Sequence, residues 1–67
     1  MKRKEKQIME IEARIAHQPL TEVNRAILIT IDLYLESDDA LERNKYWSVI
    51  RSLAISVFPE VFRRGRK

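Results

Sequence analysis

Cysteine is absent from this 67-residue chain, glycine occurs once, at position 65, and proline twice. The first absence excludes a disulfide framework and every thiolate metal site, and it fits a reducing, cytoplasmic setting. Few glycines and prolines mean few linkers and tight turns, so long helices joined briefly are the economical reading. Catalytic groups are equally short. His17 is the sole histidine; it belongs to no HExxH spacing and reads as a solvent-facing or C-capping side chain at the end of a helix. Asp38 and Asp39 read as helix caps, because a calcium loop needs a longer series of oxygen ligands. No glycine-rich loop is present to cradle a phosphate. The expectation is a protein with no catalytic residues, no cofactor and no metal.

Long apolar runs are scarce too, and the one that exists dominates. In Thr21 to Glu36, TEVNRAILITIDLYLE, only Thr30 and Asp32 interrupt the stretch from Ala26 to Leu35. Val23, Ala26, Ile27, Thr30, Ile31 and Tyr34 share one face at helical spacing, while Leu28, Ile29, Leu33 and Leu35 spread onto the flanks. The apolar arc therefore exceeds the ~100° that one neighbour covers. Read instead as a strand, the run alternates acceptably, but it is long, lies beside no hairpin turn and finds no second strand to pair with. Thr21 suits an N-cap with Glu22 in the first turn, and the helix is the better reading. The run is too short, and carries Asp32, for a membrane span.

Two further helices are expected. From Lys4 to His17, Ile8, Ile11 and Ile15 form an apolar stripe that should stop at Gln18, before Pro19. Leu20 is placed to staple the start of the central helix. Ser37, Asp38 and Asp39 form so short a junction that the next helix, Asp39 to Val57, must fold back antiparallel; Asp39 and Glu42 have the spacing of a capping box. Pro59 should break that helix, with one more turn through Glu60 to Phe62. The fold expected is all-α: a three-helix chain around a central antiparallel hairpin, forming one domain.

A chain of this length buries only ~60% of its unfolded surface. With 45% of its residues hydrophobic, it has more apolar surface than one small core can take. A homodimer is expected, with a core drawn from Val23, Ile27, Ile31, Tyr34, Ile50, Leu53 and Val57.

Charge is divided. Residues 1 to 6 and 63 to 67 hold eight of the thirteen basic side chains and a single acid, Glu5, so the body between them is mildly acidic. The opening, MKRKEKQIMEIEA, lacks the continuous apolar segment of a secretory signal. Basic tails can neutralise phosphates without reading sequence, and Arg43 to Ser52 offers a polar helix face, so nucleic-acid binding is the second reading. A ribbon-helix-helix regulator does not fit, because the strand-like run lies mid-chain rather than ahead of two helices. The preferred function is protein binding. Tyr46, Trp47, Phe58 and Phe62, rimmed by Arg51, Arg63 and Arg64, have the composition of an anchor patch for a partner with an acidic surface. Size and chemical simplicity suit a small inhibitor or adaptor, of the kind a phage or mobile element encodes.

Overall fold

A computed structural model describes residues 3–63. Four helices follow in order: α1 (Arg3–Ala16), α2 (Glu22–Glu36), α3 (Ala40–Val57) and α4 (Pro59–Arg63). Among the described residues there is no strand, and no helix is long and apolar enough to cross a membrane. Arg64, and the tail residues Lys2, Arg66 and Lys67, lie outside the described residues.

The stripe expected on α1 is the one that is buried, with Ile8, Ile11 and Ile15 turned inward. The helix ends as the approach to Pro19 requires. His17 N–H donates to Arg14 O at 3.2 Å and Gln18 N–H to Ile15 O at 3.0 Å, the tighter i to i+3 closure common at a last turn. Thr21 then caps α2, its side chain accepting from Asn24 N–H at 3.1 Å, a contact worth about 1 kcal/mol. Leu20 does not act as a staple and stays 55% exposed. A staple needs an apolar residue four places into the helix, and Arg25 stands there.

The Ser37–Asp39 junction is held by a relay rather than a simple capping box. Asp39 Oδ2 accepts from Glu42 N–H at 3.1 Å, which is the first arm of the box. The return arm passes through Ser37, whose hydroxyl accepts from Asp39 N–H at 3.3 Å and donates to Glu42 Oε1 at 3.1 Å. Arg43 adds a bond from Nη1 to Ser37 O at 2.8 Å. Ser37 is therefore buried although polar, because nearly all of its hydrogen-bonding capacity is used.

At the far end of α3, Phe58 N–H donates to Ala54 O, and Pro59 opens α4, where a missing N–H costs nothing. The break turns α4 back onto α1. Arg14 Nη1 meets Glu60 Oε2 at 3.1 Å, a pair exposed enough to contribute at most about 1 kcal/mol.

The core consists of Ile8, Ile11 and Ile15 from α1, Ile27, Ile31 and Tyr34 from α2, Ile50 and Ala54 from α3, then Phe58 and Val61. Two expectations change. Phe58, expected on a partner surface, is 2% exposed and belongs to this core; the break at Pro59 leaves it pointing inward as the chain turns. Ile27, Ile31, Tyr34 and Ile50, expected in a dimer core, are covered within a single chain, because α1 and α4 supply the neighbours that α2 and α3 need.

Candidate protein-interaction surface

Three of the five aromatic side chains form a row across three helices. Tyr34 of α2 lies against Trp47 of α3 with ring centroids 6.4 Å apart and planes tilted by 54°. Trp47 in turn meets Phe62 of α4 at 6.5 Å and 53°. Both are within the range and tilt that aromatic quadrupoles favour. A cation stands over each end of the row. The Arg43 guanidinium is 4.4 Å from the Tyr34 centroid and that of Arg51 is 5.7 Å from the Phe62 centroid.

Burial grades along this row. Tyr34 is buried, Trp47 and Phe62 are half-buried, and Arg51 is exposed. The row joins the core to the surface, with its outer members open to contact. Tyr46 is also half-buried and packs against the core. Thus Tyr46, Trp47, Phe62 and Arg51 can contribute to a surface while Phe58 cannot. Arg63 closes α4, and Arg64 is not among the described residues.

Other apolar side chains are left uncovered. Val23, Ile29, Leu33 and Leu35 on α2, and Leu41, Val49, Ile55 and Val57 on α3, are each between 37% and 73% exposed. Val23 and Val57, placed by the sequence in a dimer core, are thus open in the single chain, and Leu53 is half-buried.

The chain matches no protein-family model, no curated protein and no solved structure. Its function must be read from its own surface chemistry.

A second feature is a groove of about 460 Å³ between the start of α1 and the α2–α3 junction. Arg3, Lys4 and Glu5 of α1 and Ala40, Arg43 and Asn44 of α3 line it together with Tyr34. Lys4 Nζ donates to Asn44 Oδ1 at 3.3 Å across it. Among the described residues no group of His, Asp or Glu side chains could hold a metal ion. His17 is exposed just beyond α1, and Asp39 is occupied as a cap.

Sequence reasoning placed Ser37 in the junction and Arg43 on the polar face of α3 but missed the contacts they make, and it missed Asn24. Asn24 is 1% exposed and its Nδ2 donates to Gln18 Oε1 and Pro19 O, each at 3.4 Å, tying the α1–α2 loop to α2. Its Oδ1 is buried without a partner. Asn24 was legible, since it stands on the same face as Ile27 and Ile31 and three residues before Ile27. The contacts of Ser37 and Arg43 were not, because they cross a turn and no periodicity links them.

Proposed function

We propose that this chain is a non-enzymatic protein-interaction module. In this reading α2 and α3 form an antiparallel hairpin, two copies associate, and the α3–α4 surface of each docks on another protein and blocks or redirects it. The observation that carries the proposal is the pairing of half-buried Trp47 and Phe62 with exposed Arg51. Aromatic anchors partly seated in a core lose little entropy on binding, and a basic rim favours encounter with an acidic surface. Leftover apolar surface supports self-association: a monomer of this size rarely keeps so many large aliphatic side chains exposed without using them.

The test is capture of partners by wild type and by Trp47→Ala and Phe62→Ala. At least one substitution should weaken capture by more than ~1 kcal/mol while the helical signal and dimer mass persist. Equal capture by all three proteins refutes the docking surface.

A second reading, nucleic-acid binding, is favoured by one observation. The Lys4–Asn44 contact brings the basic start of the chain beside Arg43, so Arg3, Lys4 and Arg43 line one groove with Glu5 as its single acid. Binding that weakens steeply with salt and releases nucleic acid rather than protein would select it.

A further inference from the structure

We propose that the groove between the start of α1 and the α2–α3 junction binds a small organic phosphate monoester as its dianion. The site is separate from the docking surface on α3 and α4, and its ligand differs from the one in the nucleic-acid reading of the same groove.

The cations of the groove have no anion of their own. Arg3, Lys4 and Arg43 line it beside one acid, Glu5, and among the described residues none of the four forms an ion pair. The acids of the adjoining junction, Glu36, Asp38, Asp39 and Glu42, are not part of the lining. Two of them are already engaged, Asp39 on the Glu42 N–H and Glu42 on the Ser37 hydroxyl. The lining thus carries three positive charges and one negative, and two positive charges are left to be matched.

The donors are set before any ligand arrives. The Arg43 guanidinium is 4.4 Å from the Tyr34 ring centroid and its Nη1 donates to Ser37 O at 2.8 Å. These contacts fix its plane and leave Nε and Nη2 without a partner among the described residues. A guanidinium held in this way presents a fork that suits two phosphate oxygens. Lys4 Nζ donates only to Asn44 Oδ1, at 3.3 Å, and keeps further hydrogens for an anion. Tyr34 adds a neutral donor. It lines the groove and is 5% exposed, yet its hydroxyl makes no hydrogen bond among the described residues. A buried phenol ordinarily has a partner, and a ligand oxygen in the groove would complete this one.

Charge and size select the ligand. A phosphate monoester carries close to two negative charges at neutral pH and three acceptor oxygens, which matches both the unbalanced charge and the donor set. A diester carries only one charge. The groove holds about 460 Å³, within the range of about 300–1,000 Å³ found for small-molecule sites. Inorganic phosphate would leave most of that space empty, whereas a sugar-sized organic part fills it.

Amide chemical shifts followed by nuclear magnetic resonance test the site. The probes are ribose 5-phosphate, dimethyl phosphate, succinate and a short oligothymidylate without a terminal phosphate. Ribose 5-phosphate should shift the Lys4, Ala40, Arg43 and Asn44 amides saturably, with a Kd below about 1 mM, and the singly charged diester and the dicarboxylate should bind at least about tenfold more weakly. Arg3→Gln combined with Lys4→Gln, both at exposed positions, should weaken ribose 5-phosphate about tenfold, and Tyr34→Phe about threefold. Glu5→Gln should tighten it about threefold, a gain that loss of folding cannot imitate. The site is overturned if no saturable shift occurs by about 10 mM, if dimethyl phosphate or succinate binds as well as ribose 5-phosphate, or if Glu5→Gln tightens nothing. Oligothymidylate that moves the same amides at lower concentration than ribose 5-phosphate also overturns it and assigns the groove to nucleic acid.

Discussion

Replacing Phe58 with alanine tests the assignment that departs furthest from the sequence pattern. Phe58 is 2% exposed and shares a core with Ile50, Ala54 and Val61, joining α3 to α4 and to the α1 stripe. Truncating a buried phenylalanine costs about 3–5 kcal/mol, the lost transfer energy plus the cavity left behind. A chain of this length has a total stability of roughly 3–10 kcal/mol at 0.05–0.15 kcal/mol per residue. Phe58→Ala should therefore remove between a third and all of the stability. Phe58→Leu, which keeps most of the volume, should cost under about 1.5 kcal/mol. Urea unfolding followed by far-ultraviolet circular dichroism measures both, at fixed protein concentration so that association does not shift the midpoint. Phe62→Ala, at a half-buried position, supplies the contrast. If Phe58→Ala unfolds less than about 1 kcal/mol more easily than wild type, the side chain is not in the core. The sequence-based placement on a partner surface would then be restored.

Ile31→Asp should abolish cooperative folding, because it puts an unpaired charge at a position that is 0% exposed, at a cost of several kcal/mol; a folded variant would show that α2 is packed through another face. Asp39→Ala should cost about 1 kcal/mol, since it frees Glu42 N–H at the start of α3; thermal melting checks it, and an unchanged midpoint would mean that the Ser37 relay alone holds the junction. Deleting residues 1–4 and 63–67 should remove most non-specific nucleic-acid affinity and flatten its salt dependence. Filter binding across a salt series measures this, and sequence-specific binding that survives would point to Arg43, Lys45 and Arg51.

The helices could be read from sequence because each has a local cause. Ile8, Ile11 and Ile15 repeat at helical spacing, Thr21 and Asp39 supply caps, and Pro19 and Pro59 impose breaks, and every one of these acts within a few residues. Tertiary structure decided what covers each apolar face. The residues of α2 and α3 expected in a dimer core are divided between two fates: Ile27, Ile31, Tyr34 and Ile50 are enclosed within the chain, whereas Val23 and Val57 stay open. The all-round apolarity of α2 shows that several neighbours are needed but not which come from the same chain. Phe58 was misplaced for a related reason. The proline break was legible, but the direction in which the chain turns after it depends on how α4 docks on α1, through Val61 in the core and Glu60 at Arg14. Contacts such as Arg43 over Tyr34 lie beyond sequence reading altogether, because they join residues across a turn whose geometry is set only once both helices have packed.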